Sequence, residues 1–123
     1  PGVTSALAVP AAAGIPVTAR GVTSRFTVVS GHDGPLDFAN LAATDGTLVF
    51  LMGVGRLGEI AAELVTHGRP ADQPVAVVER GTTPEQRVTV GTLATIAALA
   101  AEREVANPAV IVVGDVVDLA DLP

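Results

Sequence analysis

The stretch Thr47-Leu48-Val49-Phe50-Leu51-Met52 is almost continuously apolar, and Gly53-Val54-Gly55 follows it directly. A short apolar run that ends at glycines is typical of a β-strand buried on both faces of a sheet. The next segment, Arg56–His67, carries apolar residues at positions 57, 60, 61, 64 and 65. This spacing predicts an amphipathic helix, and Gly68 stands where a C-terminal cap belongs. A buried strand followed by an amphipathic helix indicates a layered α/β domain.

The segments on either side continue the alternation of strands and helices. Apolar and β-branched runs predict four further strands, at Phe26–Ser30, Pro74–Glu79, Gln86–Val90 and Ala109–Val113. Periodic apolar residues predict three further helices, within Pro1–Ala13, Leu36–Ala43 and Thr92–Arg103. The short loop before Gln86–Val90 suggests that this strand forms an antiparallel hairpin with the strand before it. The predicted fold class is therefore α/β, with a mixed sheet of about five strands flanked by about four helices.

Two segments are expected to be less regular. Pro10 lies inside the first predicted helix and should kink or end it, because proline lacks the amide proton that a helix uses. The acidic tail Asp115–Pro123 follows the last predicted strand and is expected to fray.

The composition of the 123 residues excludes several kinds of site. The chain has a formal net charge of -6, no lysine and no basic run, which argues against nucleic-acid or membrane-surface binding. It has no cysteine and two histidines, so a disulfide or a metal site is not expected. No apolar run reaches the roughly 18 residues of a membrane span. Because the chain begins with Pro1, we expect a piece of a longer, cytoplasmic protein.

Side chains suited to acid–base chemistry are few. His32, Asp33 and Glu79 are candidates by residue type, although the Glu79-Arg80 pair is better explained as a local ion pair. The glycines at positions 53, 55 and 58 resemble a dinucleotide-binding turn only superficially, and a turn that needs small residues explains them better. Residue chemistry alone thus indicates an α/β domain without a self-contained site.

Nine short strings, taken in order, point to a family. They are PGVTSA at residues 1–6, AGIPVT at 13–18, TVVSGH at 27–32, TLVFLMG at 47–53, HGR at 67–69, PVAVVERGTT at 74–83, QR at 86–87, GTL at 91–93 and VVGDVV at 112–117. With this order and spacing, the chain resembles the C-terminal domain of the uroporphyrinogen-III C-methyltransferases, a branch of the tetrapyrrole methylases. The family's N-terminal domain, with its glycine-rich loop, would precede Pro1.

The resemblance implies an activity and a cofactor. Family members transfer methyl groups from S-adenosylmethionine to carbons 2 and 7 of uroporphyrinogen III, giving precorrin-2 for sirohaem and cobalamin synthesis. They are homodimers, and the cofactor lies in the cleft between two α/β domains. The family's catalytic residues would lie upstream, so no catalytic residue is assigned to this chain.

The resemblance also implies particular site residues. Those matched to S-adenosylmethionine or S-adenosylhomocysteine binding are Thr4, Ser5, Met52, Ala76 and Gly81. Because the substrate is an octacarboxylate, we further hypothesise that arginines beside predicted loops bind it, namely Arg20, Arg25 or Arg56. Ala19 stands where the family has a histidine, so any function of that histidine is in doubt.

Two alternatives stay open. The chain could be a non-catalytic dimerisation or structural module, which exposed Val and Leu side chains on an unpaired face would favour. It could also belong to a methyltransferase of the same fold with a different substrate. The sequence does not reveal the oligomeric state, or whether the parent is fused to a dehydrogenase and ferrochelatase.

Overall fold

A computed structural model describes residues 2–31 and 34–120, and it contains a five-stranded mixed sheet. The strands are β1 (Phe26–Ser30), β2 (Thr47–Leu51), β3 (Pro74–Glu79), β4 (Arg87–Thr92) and β5 (Ala109–Val113). Their order is β1-β2-β5-β3-β4, with β1 parallel to β2 and every other neighbouring pair antiparallel. The predicted mixed sheet and the β3–β4 hairpin are thereby confirmed.

The predicted helices are present with adjusted ends. They are α1 (Ser5–Ala12), α2 (Phe38–Ala43), α3 (Leu57–Thr66) and α4 (Ile96–Glu102), with short 3-10 helices at Val54–Arg56 and Asp115–Leu119. Helix α4 begins four residues later than predicted, because Thr92 still pairs with Pro74 in the sheet. Within the described residues, no helix is long and apolar enough to cross a membrane.

Helices cover the sheet on both sides. On one side, Phe50, Val77 and Ile111 pack with Ile60 of α3 and Ile96 of α4. On the other side, a second cluster contains α1 and the last 3-10 helix, and its members include Ala6, Val9, Val49, Val78, Val112 and Val116. The central strands are therefore apolar at consecutive positions, as predicted for strands that are buried on both faces.

The expectation that Pro10 ends the first helix was wrong. Helix α1 runs through Pro10 to Ala12, and the Pro10 side chain is buried. The Pro10 carbonyl accepts hydrogen bonds from the amides of Ala13 at 3.0 Å and Ile15 at 2.9 Å. Because the helix ends within one turn of Pro10, the missing amide removes only one helical hydrogen bond, and the burial of the ring offsets this loss.

The expectation for the C-terminal tail was also wrong as far as Ala120. Residues Asp115–Leu119 form a 3-10 helix, in which Val116 and Val117 are buried against the second face of the sheet. Two apolar side chains among acidic neighbours are enough to anchor this short segment. Residues 121–123 lie outside the described part of the chain.

Candidate functional site

A cavity of about 880 Å³ opens where β2 and β3 end and β5 begins. The first turns of α1 form one side, with Ser5, Ala8 and Val9, and the loop after β3 forms another. Most of its surface is apolar, and the polar side chains that line it are those of Ser5, Arg80, Thr82, Thr83, Glu85 and Asn107. Cavities of this size and character are typical of small-molecule sites.

Backbone geometry sets this cavity apart from the rest of the chain. Met52, Arg80 and Thr82 line it and have φ angles of 58°, 48° and 70°. These values lie in the left-handed region, which costs most for a β-branched residue such as threonine. Residues held in such conformations cluster at functional sites. The cavity is therefore the strongest candidate site in the described part of the chain.

Three of the residues matched to the cofactor line this one cavity, namely Ser5, Met52 and Gly81. The other two do not line it. Thr4 is the N-cap of α1, where its hydroxyl oxygen accepts a hydrogen bond from the Ala6 amide at 3.2 Å. Ala76 is fully buried within β3, in the core cluster beneath α1. The cofactor assignments of all five residues stay predictions.

Gly81 has a packing constraint of its own. A Cβ at this position would lie 2.5 Å from Cγ1 and 2.9 Å from Cγ2 of Val9. Both distances are shorter than real Cβ contacts allow, so a side chain here would push α1 away from the loop after β3. The small residue is thus needed for helix packing, whether or not a ligand approaches it.

The three arginines predicted to bind substrate do not line the cavity. Arg20 and Arg25 lie at the opposite end of the sheet, where Arg25 pairs with Asp45 at 3.6 Å. Arg56 lies at the same end as the cavity, but its guanidinium already has protein partners. These are the Glu59 carboxylate at 2.7 Å and the carbonyl oxygens of Gly34 at 2.9 Å and Gly31 at 3.3 Å. Arg56 therefore holds the turn after β1.

The predicted ion pair between Glu79 and Arg80 was wrong. Arg80 lies beyond the end of β3 and has a left-handed backbone, whereas Glu79 lies directly opposite Arg87 across the hairpin. Arg87 Nε donates to Glu79 Oε1 at 2.7 Å, and the Ala106 amide donates to Oε2 at 3.2 Å. Glu79 thereby ties β3 to β4 and to the loop before β5, and its carboxylate is not free for acid–base chemistry.

Glu79 should make stability depend on pH. Burial alone would raise the pKa of its carboxyl, but the hydrogen bonds from Arg87 and Ala106 and the charges of Arg87 and Arg103 outweigh it and hold the pKa below the ordinary 4.5. A depressed folded-state pKa gives stability that is present above about pH 4.5 and is lost as the pH falls through the lower folded value. In urea denaturation, Glu79→Gln should therefore be less stable than the wild type at pH 7, and the gap should close towards pH 3.

The exposed Glu102 provides the control for this measurement. Glu102→Gln, which removes one carboxylate from the surface, should change the free energy of unfolding at pH 7 by less than about 0.5 kcal/mol. A Glu79→Gln gap that stayed constant from pH 7 to pH 3 would contradict the depressed pKa.

Arg69 was not singled out as a structural residue by sequence reasoning. It is 8 % exposed, and all three of its guanidinium nitrogens donate hydrogen bonds. Burial lowers its pKa, and the charges of Asp45 and Asp115 oppose this effect. Its acceptors are the carbonyl oxygens of Leu41, Ala42, Thr44 and Gly46 and the side-chain oxygen of Gln73. Arg69 thus closes the C-terminal end of α2.

The remaining acid–base candidates, His32 and Asp33, lie outside the described residues. Among residues 2–31 and 34–120, no group of three or more His, Cys, Asp and Glu side chains could hold a metal ion. The only titratable residues of this part that line the cavity are Arg80 and Glu85.

The fold places this protein among α/β proteins with a mixed sheet, and its candidate cavity lies at one end of that sheet. Comparison with known proteins then gives the family. The family model for Tetrapyrrole (Corrin/Porphyrin) Methylases matches residues 1–97, and the chain belongs to this family.

Relatives within the family share both sequence and structure with the chain. It is 59 % identical to an S-adenosyl-L-methionine-dependent uroporphyrinogen III methyltransferase of Methanosarcina barkeri, over 99 % of this chain and 50 % of that protein. It is 46 % identical to siroheme synthase 2 of Yersinia enterocolitica, over 97 % of this chain and 25 % of that protein. The chain therefore spans about half the length, or less, of these relatives.

A solved structure is similar over nearly the whole chain. Uroporphyrin-III C-methyl transferase from Thermus thermophilus, complexed with S-adenyl homocysteine, superposes with a TM-score of 0.83 at 41 % identity. The match covers 97 % of this chain and 52 % of that one. A cobalt precorrin-4 methyltransferase has the same fold, with a TM-score of 0.87 at 24 % identity.

Proposed function

We propose that this chain is the C-terminal half of an S-adenosylmethionine-dependent uroporphyrinogen-III C-methyltransferase, which makes precorrin-2 for sirohaem and cobalamin synthesis. The observation that carries the proposal is that Ser5, Met52 and Gly81 line one and the same cavity. It occurs in a chain that is 59 % identical to a relative named for this activity. The Thermus thermophilus structure with S-adenyl homocysteine gives further support for the cofactor.

The cavity has the chemistry to bind a cofactor of this kind. Its apolar lining can hold an adenosine, and the 58 % exposed Met52 offers a polarisable surface to the base. At the start of α1, the amides of Ala6, Leu7 and Ala8 already donate to Thr4, so the polar group that this turn adds to the cavity is the Ser5 hydroxyl. The described residues of the cavity thus supply binding and orientation, which are the main requirements for placing a methyl donor in line with a carbon nucleophile. Proton transfer would be performed by the other half of the enzyme.

Titration calorimetry with S-adenosylhomocysteine tests the proposal. The chain alone should bind with a Kd weaker than about 100 µM, because one open wall buries only part of the ligand. A chimera that joins it to the remaining half of the Methanosarcina barkeri relative should bind at least about tenfold more tightly. The chimera should also transfer a labelled methyl group from S-adenosylmethionine to uroporphyrinogen III.

Two variants of the chimera provide a matched comparison. Met52→Gln should weaken cofactor binding, whereas Leu119→Gln, at another exposed apolar residue that does not line the cavity, should not. If the chain alone bound S-adenosylhomocysteine with a submicromolar Kd, the cofactor would not need the other half of the enzyme. That result would contradict a cofactor cleft formed between two domains. A folded chimera without methyl transfer would contradict the proposed activity.

A second candidate function is a non-catalytic dimerisation module that contacts a second copy of the chain. Helix α1 packs on β2 and β5, while Phe26 and Val28 on the same side of the edge strand β1 remain 37 % and 45 % exposed. In this case the chimera would be inactive, and the chain would sediment as a dimer that Val28→Asp dissociates. The main proposal also includes a homodimer, and the exposed Phe26 and Val28 are available for its interface. It further includes a cytoplasmic location.

A further inference from the structure

The arginines of the chain differ in whether their guanidinium groups have partners. The chain has seven arginines and no lysine, so these groups are its only strong side-chain cations. Within the described residues, four of them donate hydrogen bonds to protein acceptors, namely Arg56, Arg69, Arg87 and Arg103, and Arg25 forms an ion pair with Asp45. Only Arg20 and Arg80 have no guanidinium partner in this part of the chain, and only Arg80 lines the cavity.

The backbone of Arg80 is fixed although its guanidinium is not. Its amide donates to the Pro108 carbonyl at 2.9 Å, and its own carbonyl accepts from the Thr83 hydroxyl at 2.7 Å. These bonds hold the left-handed conformation, with φ at 48°. Glu79, the nearest acid in sequence, is already bound to Arg87. A cation on a fixed backbone at a cavity, with no ion-pair partner among the described residues, has the properties of a ligand-binding residue.

We propose that Arg80 binds a carboxylate of the ligand that occupies this cavity, an inference that rests on the proposed function. A guanidinium pairs with a carboxylate through two parallel hydrogen bonds, and the exposed Arg80 side chain is accessible to a ligand in the cavity. Two sources could supply the carboxylate: the amino-acid end of the cofactor, or an acid side chain of the tetrapyrrole substrate. Glu85 is the other charged residue that lines the cavity, and its carboxylate would repel such a group rather than bind it.

Nuclear magnetic resonance titrations of the chain can locate this contact and measure weak binding. The probes are S-adenosylhomocysteine, 5′-methylthioadenosine, which lacks the amino-acid carboxylate, and uroporphyrin III, which has eight carboxylates. The proteins are the wild type, Arg80→Gln, Arg80→Lys and, as the matched control, Arg20→Gln. Arg80→Gln should weaken binding of one carboxylate probe by about tenfold, and Arg80→Lys should weaken it less. Neither substitution should affect 5′-methylthioadenosine, and Arg20→Gln should bind all three probes like the wild type.

The pattern of losses identifies the source. A loss confined to S-adenosylhomocysteine assigns Arg80 to the cofactor, and a loss confined to uroporphyrin assigns it to the substrate. Unchanged affinities of Arg80→Gln for both probes, or an Arg80 Nε signal that neither probe shifts, would overturn the proposal. If 5′-methylthioadenosine failed to shift the amide signals of Ser5 and Met52, the proposed cofactor cavity itself would be wrong, whatever happened at Arg80.

Discussion

Arg69→Met should lower the free energy of unfolding by about 3 kcal/mol, the largest effect we expect from any single polar substitution in this chain. The methionine fills a similar volume but donates no hydrogen bond. The carbonyl oxygens of Leu41, Ala42 and Thr44 at the end of α2 would lose the donor that closes the helix. Leaving a buried acceptor unpaired costs about 1–3 kcal/mol, and several acceptors here share one donor group. Urea denaturation at pH 7, followed by circular dichroism, measures the change.

Two further variants separate the hydrogen bonds from the charge. Arg69→Lys keeps the charge but has fewer donors and a different shape, so it should recover only part of the loss. Arg20→Met removes an arginine that has no guanidinium partner in the described part of the chain, and its effect should stay within about 0.5 kcal/mol. If Arg69→Met cost less than about 1 kcal/mol, solvent would be satisfying these carbonyls and Arg69 would not be needed to close α2.

The sheet and its main helices could be predicted because their signals are local. Which side chains are buried can be read within a single element, from the apolar run at Thr47–Leu51 and from the periodic apolar residues of Leu57–Thr66. The exact start of α4 depended on how far β4 pairs with β3, which is a contact between distant residues. Pro10 was judged by intrinsic helix propensity, but packing against the sheet outweighed that propensity.

The candidate site was less predictable for the same reason. Family resemblance named Ser5, Met52 and Gly81, which line one cavity, but it also named Ala76, which lies in the core. The choice of arginines failed because residue type and loop position do not reveal partners. Arg56 donates to the Gly34 carbonyl, 22 residues earlier in the chain. Arg80, set aside as the partner of Glu79, has no guanidinium partner among the described residues, because the hairpin register pairs Glu79 with Arg87. Only the folded arrangement shows which cation is available.

Gly81→Ala should lower the free energy of unfolding by about 2 kcal/mol, because the new methyl group would overlap Val9. The backbone of Gly81 does not have a positive φ, so alanine is not excluded by its conformation. The cost would come from moving α1, which also presents Ser5 and Ala8 to the cavity. The same substitution should therefore shift the amide signals of Ser5 and alter ligand binding as well as stability.

A double-mutant cycle makes this explanation specific. Val9→Ala removes the two methyl groups that the new Cβ would meet at 2.5 and 2.9 Å, so Gly81→Ala should cost less than about 1 kcal/mol in that background. Gly55→Ala is the control, because a Cβ there meets nothing within 4 Å and stability should change by less than about 0.5 kcal/mol. If Gly81→Ala cost the same with and without the Val9 methyl groups, contact with α1 would not be the reason for glycine.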